Sequence, residues 1–260
     1  ISIFSHNKSW GGILLENCTD KSIFNHVNFH NSTYGNDSAM INATISSYYS
    51  EVEVNNCKFI NNARSIYGYY GDVSVSSCIF FESAGEKVNL QYSNSSVEDC
   101  ILHYTYGDND AIDYDGVFNG IIRNNILYGG EDDGLDIGRI DATSCNNVLL
   151  EGNTIYNFVD KGVSIGEGSQ DINISYNTIT TSRMGIAVKD SSTAIVDHNT
   201  LYENTFGISC YEKNYGDGGG IASINNTIIS QSIISTIDAD NTSEIDIRYS
   251  LSDVVLMSGE

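Results

Sequence analysis

The chain contains no proline, although an average usage of about 5% would give about 13 in a protein of this length. Basic residues are also scarce: 12 Lys and Arg stand against 34 Asp and Glu, for a net charge of −22. So few cations leave no basic stripe to neutralise phosphates, which argues against a nucleic-acid ligand. No apolar run of about 18 residues predicts a membrane-spanning helix, and no sustained apolar spacing of about 3.6 residues predicts a long helix.

What the sequence does contain is a repeat. Alternating, β-branched segments such as Ile172–Ser175 indicate strands between the repeated phrases. A second set of phrases, including Gly134–Ile137 and Gly162–Ile165, gives each repeat at least two short strands. Phrases built around Asn or Cys recur at steps of 21, 22, 25, 28, 24, 22 and 27 residues, at Cys57, Cys78, Cys100, Asn125, Asn153, Asn177, Asn199 and Asn226.

A period in the low twenties, filled with strands, predicts that each repeat is one coil of a solenoid. The expected fold is therefore all-β: a right-handed parallel β-helix of roughly ten coils that forms one domain over residues 1–260. The repeated Asn side chains, Asn226 among them, would stack at one turn and hydrogen-bond one another. Cys57, Cys78 and Cys100 take the same place in earlier coils, and we interpret them as buried free thiols, with a disulfide pair as the alternative.

Several features bear on where the protein acts. Nine Asn-x-Ser/Thr sequons are present, compatible with a glycoprotein at an extracellular or cell-surface location. The chain starts with Ile, which favours a segment of a longer secreted or surface protein. The 17 tyrosines are expected to offer stacking surfaces for sugars on the flanks of the solenoid.

The most informative segments are two acidic stretches one repeat apart. Asp110 and Asp133 are separated by 23 residues, and so are Asp113 and Asp136. In a solenoid these carboxylates would stack about 4.8 Å apart, the spacing of paired strands. Like charges this close repel one another, and a bound cation is the simplest remedy. Asp oxygens are what Ca²⁺ prefers, so the pattern predicts a calcium site.

The next coil places Lys161 in the same column as Asp110 and Asp133. Carboxylates beside an amine suit β-elimination from a uronic acid polymer: Ca²⁺ would hold the substrate carboxylate while a neutral amine removes the neighbouring proton. Lys161 would need a lowered pKa for this role. A strongly acidic protein could bind such an acidic polysaccharide through the bridging cation.

The run Asp132-Asp133-Gly134-Leu135-Asp136, with an Asp one coil before it and a Lys one coil after, resembles the calcium site of the ninth family of polysaccharide lyases. Those enzymes are right-handed parallel β-helix pectate lyases. The resemblance implies Ca²⁺ as cofactor, Lys161 as the catalytic base, and the calcium ligands Asp110, Asp132, Asp133 and Asp136; Asp108 or Asp113 could replace Asp110. Candidate contacts for substrate carboxylates are Arg139, Arg183 and Lys189.

Four alternatives remain open at this point. The acidic segments could hold structural calcium in a non-catalytic adhesin or sheath module, or form a solvated acidic face. A polygalacturonase-like hydrolase is the nearest enzyme alternative, but that family's Gly-His-Gly and Arg-x-Lys motifs are missing. Lys161 could instead form a salt bridge with Asp133 or Asp136. A lyase needs Lys161 open to solvent, whereas a scaffold would leave it paired.

Overall fold

The computed structural model describes residues 1–3, 10–33 and 40–252, and all the regular structure in these residues is β-strand. The first eleven strands are β1 (Ser2–Ile3), β2 (Ile13–Glu16), β3 (Ser22–Asn25), β4 (Asn28–His30), β5 (Ile45–Tyr48), β6 (Val52–Asn55), β7 (Lys58–Ile60), β8 (Ile66–Tyr69), β9 (Val73–Ser76), β10 (Ile79–Phe80) and β11 (Val88–Gln91). The next eleven are β12 (Ser96–Glu98), β13 (Ile101–Leu102), β14 (Ile112–Asp115), β15 (Ile121–Arg123), β16 (Ile126–Gly130), β17 (Leu135–Ile140), β18 (Thr143–Ser144), β19 (Asn146–Glu151), β20 (Thr154–Phe158), β21 (Lys161–Ile165) and β22 (Gln170–Ser175). The last ten are β23 (Thr178–Thr180), β24 (Met184–Lys189), β25 (Thr193–Asp197), β26 (Thr200–Tyr202), β27 (Phe206–Tyr211), β28 (Ile221–Asn225), β29 (Ile228–Ser230), β30 (Ser235–Ala239), β31 (Glu244–Arg248) and β32 (Leu251–Ser252).

The strands form three parallel sheets, and each coil contributes one strand to each sheet. Sheet 1 runs β1-β4-β7-β10-β13-β16-β20-β23-β26-β29-β32. Sheet 2 runs β2-β5-β8-β11-β14-β17-β21-β24-β27-β30, and sheet 3 runs β3-β6-β9-β12-β15-β19-β22-β25-β28-β31. The predicted β-helix of about ten coils is therefore confirmed, with three strands per coil.

The core lies inside the coils and follows from the alternation of apolar and polar residues. In β6, Val52 and Val54 point inward and are buried, while Glu53 and Asn55 are half-buried on the outside. Equivalent positions stack from coil to coil, as in the aromatic column of Phe29, Phe59 and Phe80, whose ring centroids are 4.9 and 4.8 Å apart. Every coil thus completes the core of its neighbours.

The predicted Asn and Cys column forms a buried ladder of hydrogen bonds. The backbone N–H of Asn125 donates to Asn153 Oδ1 at 3.0 Å, and that of Asn153 donates to Asn177 Oδ1 at 2.9 Å. In the earlier coils sulfur takes the same role: the N–H of Cys57 donates to Cys78 Sγ. Cys57, Cys78 and Cys100 are buried and free, as interpreted from their spacing, and Cys18, Cys145 and Cys210 are free as well.

The prediction was wrong for one member of the column, Asn226. Thr227, not Asn226, continues the ladder, because its Oγ1 accepts the backbone N–H of Asn199. Asn226 is exposed and has a φ of 47°, the left-handed conformation that residues just before the ladder adopt in other coils, such as Tyr176 and His198. Asn tolerates this conformation, so Asn226 takes the turn position.

The longest coil near the acidic segments contains a small hairpin. Strand β18 pairs antiparallel with the end of β17, with Arg139 opposite Ser144. This insertion leaves the parallel stacking of sheet 2 intact on both sides, because β17 still pairs with β14 and β21. Within the described residues no helix is long and apolar enough to cross a membrane.

Candidate functional site

The acidic segments meet on the outer face of sheet 2, where strand pairing aligns them into three columns. Column one contains Asp110, Asp133 and Lys161; column two contains Asn89, Asp113, Asp136 and Ser164; column three contains Gln91, Asp115, Gly138, Gly166 and Lys189. This is the register expected from the sequence. Successive coils place their residues about 4.8 Å apart along each column.

Six carboxylates crowd this face, and all of them except Asp115 fall into two overlapping groups. Oxygens of Asp110, Asp113 and Asp136 all lie within 4.8 Å of one another, and so do oxygens of Asp110, Asp132 and Asp133. Burial, together with the neighbouring carboxylates, raises the pKa of Asp110 and of Asp113 well above the usual range. The cluster therefore cannot carry its full negative charge without a compensating cation.

Lys161 supplies part of that compensation. Its Nζ lies 3.1 Å from Asp133 Oδ1 and 3.2 Å from Oδ2, and it also donates to Asp160 Oδ2. Only 6% of Lys161 is exposed. Burial lowers the pKa of this amine, but Asp133 and Asp160 outweigh that effect and raise it overall. The salt bridge to Asp133, left open by the sequence, is thus present, and Lys161 is neither solvent-open nor prepared as a neutral amine in this structure.

Asp136 is the least committed carboxylate of the cluster. No hydrogen bond or ion pair to its side chain is found among the described residues, whereas Asp110 Oδ1 accepts the backbone N–H of Asp133 at 3.1 Å. Next to it in column two, Asp113 accepts a hydrogen bond from Asn89 Nδ2. The other amide atom, Asn89 Oδ1, is buried with no partner. The orphaned oxygen of Asn89 and the uncommitted carboxylate of Asp136 lie in the same column as Asp113, and together these oxygens are a donor set suited to a hard cation.

The three predicted substrate contacts lie in different surroundings. Arg183 is exposed and donates from Nη1 to Asp160 Oδ1 at 2.7 Å. Lys189 is 4% exposed and donates from Nζ to Ser164 Oγ at 2.7 Å. Arg139 is exposed at the end of β17, where its backbone N–H donates to Glu167 Oε2. Arg183 and Lys189 therefore border the cluster, and Arg139 lies at the rim with the hairpin.

Sequence reasoning missed Asn89. Its partnership with Asp113 could have been found by extending column two one coil backwards, because Asn89 precedes Asp113 by 24 residues and pairs with it in register. It also left the role of Asp160 unassigned, although this carboxylate joins Lys161 to Arg183. The contacts of Asn89 with Asp113 and of Arg183 with Asp160 depend on side chains that reach across coils.

The expected tyrosine stacking surfaces are partly used within the protein. Tyr49, Tyr70 and Tyr92 stack face to face in successive coils, with centroids 5.4 and 4.3 Å apart and planes within 5° of parallel. Their ring faces cover one another, so mainly edges and hydroxyls point outward. At the end of this stack the Tyr92 hydroxyl donates to Asp141 Oδ2 at 2.8 Å, which joins it to the hairpin.

The sequence matches a known family over half its length. Residues 122–251 match the family described as the right-handed β-helix region. The chain belongs to this family. Membership of this family indicates that the coils are right-handed, and it agrees with the parallel stacking of all three sheets. No curated protein matches the sequence significantly.

Solved structures share this right-handed β-helix. The A-module of mannuronan C-5 epimerase AlgE4 from Azotobacter vinelandii matches with a TM-score of 0.54 and 15% identity, over 89% of this chain and 72% of that one. An exopolygalacturonase from Thermotoga maritima matches at 0.57 and 11%, over 89% and 71%. The tailspike protein of E. coli bacteriophage HK620, in complex with a pentasaccharide, matches at 0.57 and 14%, over 91% of this chain but only 47% of that one. These identities show the fold and no more.

Proposed function

We propose that this right-handed β-helix is a calcium-dependent polysaccharide lyase that cleaves a uronic acid polymer lying along the outer face of sheet 2. The observation that carries the proposal is the grouping of Asp110, Asp113 and Asp136, whose oxygens lie within 4.8 Å of one another on that face. The structural neighbours described as an epimerase, an exopolygalacturonase and a saccharide-bound tailspike support a carbohydrate ligand. An extracellular or cell-surface location fits such a substrate.

The residues present fit Ca²⁺, with one change to the ligand set implied by the lyase resemblance. Asp133 is ion-paired with Lys161 through both oxygens, so its carboxylate already has a cationic partner. Asp113 is better placed beside Asp110 and Asp136, and the orphaned Asn89 Oδ1 lies on the same column. We therefore assign Asp110, Asp113 and Asp136 as the main ligands, with Asp132 and Asp133 at the margin.

Bound Ca²⁺ would supply the positive charge that neutralises the substrate carboxylate and acidifies the adjacent C5–H bond. Lys161 is the candidate base: its amine takes the C5 proton, the electron pair forms the C4–C5 double bond, and the C4–O bond breaks to release a chain end that gains a proton from solvent. For this step Lys161 must first open its contacts with Asp133 and Asp160 and release its own extra proton to solvent, because only the neutral amine can accept the C5 proton.

That requirement favours a second candidate, a non-catalytic surface module that binds acidic polysaccharide with structural calcium. Its supporting observation is that Lys161 is 6% exposed and holds two carboxylates, the arrangement expected of a scaffold. The module would use the same sheet face and the same cation.

The test is an assay of polygalacturonate with calcium or with chelator, following the ultraviolet absorbance of the unsaturated product and the number of new reducing ends. We expect a calcium-dependent rise in absorbance that falls at least about 100-fold in Lys161→Ala and in Asp136→Asn. Asp171→Asn is the matched control, because Asp171 is exposed on sheet 3. Calcium-dependent binding without cleavage would establish the non-catalytic module, and reducing ends without the absorbance would establish a hydrolase.

A further inference from the structure

Lys189 differs from the other cations on the face of sheet 2. Lys161 and Arg183 both donate to carboxylates, whereas Lys189 has no ion pair among the described residues. Its Nζ donates only to Ser164 Oγ, at 2.7 Å, although an ammonium has three N–H donors. With 4% of the residue exposed, solvent does little to satisfy the other two. A buried charge in this condition is costly unless a ligand pairs with it.

The absence of a side chain at Gly166 leaves the space that the Lys189 ammonium occupies. Column three carries Gly138 and Gly166 between Asp115 and Lys189, and the Lys189 side chain folds back over Gly166. A Cβ at Gly166 would lie 3.0 Å from Lys189 Cε and 3.5 Å from its Nζ. Ser164, its hydrogen-bond partner, follows Asp136 by one coil in column two. The ammonium is therefore held about one coil spacing from Asp136 among the proposed calcium ligands.

We propose that Lys189 and Ser164 form an anion subsite that binds a carboxylate of the polysaccharide directly, beside the calcium site. A carboxylate would provide acceptors for the two unused N–H groups and would neutralise the buried charge. The subsite rests on the proposed function only in taking an acidic polysaccharide as ligand, since it needs no calcium itself. Lys161 and Arg183 are not equivalent candidates, because carboxylates of the protein already occupy them.

The two sites together align the polymer with the solenoid axis. One carboxylate would be bridged by the cation near β14 and β17, and another would be held by the ammonium towards β24. The pair of sites thereby favours a polymer that carries repeated carboxylates along its length.

The test measures binding of polygalacturonate by calorimetry, in chelator and in calcium, for the parent protein, Lys189→Met and Lys58→Met. Met keeps the side-chain volume over Gly166 and removes the charge; Lys58 is an exposed lysine on sheet 1 and serves as the matched control. We expect Lys189→Met to weaken binding at least about tenfold in both conditions, Lys189→Arg to recover part of it, and Lys58→Met to bind as the parent does.

Calcium affinity, measured separately without polymer, separates this proposal from the previous one. If Lys189→Met binds calcium normally but polymer weakly, the subsite is supported even where no lyase activity is found. Equal polymer binding by Lys189→Met and Lys58→Met in both conditions would overturn it. A variant that loses calcium along with polymer would also overturn it, because Lys189 would then act by positioning the carboxylates.

Discussion

At the scale of single residues, Lys87 is the most unusual side chain of the core. The same inward position is occupied by Ser65 in the coil before and by Ala111, Gly134 and Gly162 in the coils after. Lys87 is fully buried, and its Nζ donates to Ser83 Oγ and the Tyr104 carbonyl at 2.8 Å and to Thr105 Oγ1 at 3.0 Å. No carboxylate forms an ion pair with it within the part of the chain that the structure describes. Burial lowers the pKa of this amine to about 7.

The lowered pKa makes stability depend on pH. Below pH 7 the folded protein holds Lys87 as a buried ammonium, and the cost of burying that charge lowers its stability. Between about pH 7 and 10.5 the unfolded chain binds a proton that the folded chain does not. The free energy of unfolding therefore rises with pH over this range. We expect Lys87→Met to lack this rise, so that the parent gains on the order of a few kcal/mol relative to the variant from pH 6.5 to 9.5. Urea denaturation at several pH values measures it. Lys58→Met is the exposed control, and parallel curves for the parent and Lys87→Met would contradict the assignment.

At the scale of the element, the Asn ladder is the main polar component of the core. Asn177 accepts from Asn153 through Oδ1, and its Nδ2 donates to the Leu150 carbonyl at 2.9 Å and to Asn199 Oδ1 at 3.0 Å. Each member thus satisfies backbone and side-chain groups of two coils. Buried polar groups that lose such partners are costly.

We expect Asn177→Ala to lower the free energy of unfolding by about 3 kcal/mol, because it leaves buried groups in the neighbouring coils without partners. Asn173→Ala is the matched control: Asn173 lies in the same coil, exposed on β22. Urea midpoints of the two variants, produced without glycosylation, give the comparison. Equal midpoints would show that the ladder is a consequence of stacking and not a source of stability.

The sequence predicted this element well, since the Asn and Cys spacing marks each coil and alternating residues mark the strands. The prediction was wrong at Asn226 because Asn225 and Asn226 are adjacent and both suit the ladder by residue type. Only the backbone conformation shows that Asn226 is the left-handed turn residue and that Thr227 takes the ladder position. In the site, the columns of Asp110 with Asp133 and of Asp113 with Asp136 follow from coil length. Which partner each side chain selects does not, because long side chains such as Lys161 and Lys189 reach across a coil.

At the scale of the whole molecule, the net charge of −22 is unfavourable to folding, and the carboxylates grouped on the face of sheet 2 contribute to it. A cation that binds only the folded state stabilises it by mass action, by about 2.7 kcal/mol at a free concentration 100 times its dissociation constant.

We therefore expect calcium to raise the melting temperature of the parent protein, and Asp113→Asn or Asp136→Asn to remove most of that increase. Asp171→Asn should respond to calcium as the parent does. Scanning calorimetry in calcium and in chelator tests this without any polymer. An equal increase in all four proteins would place the stabilising calcium away from Asp110, Asp113 and Asp136.

Because the coils stack in register, the number of coils can change without altering the carboxylate face. Removing residues 58–78 would join Cys57 to Ile79, which pairs in register with Lys58. Phe29 would then face Phe80 in the aromatic column, and the carboxylate face would be untouched. A protein shortened by this one unit should still fold and bind calcium. The length of the solenoid and its binding chemistry could then evolve independently, since gaining or losing a coil changes how far the molecule extends and leaves what it binds unchanged.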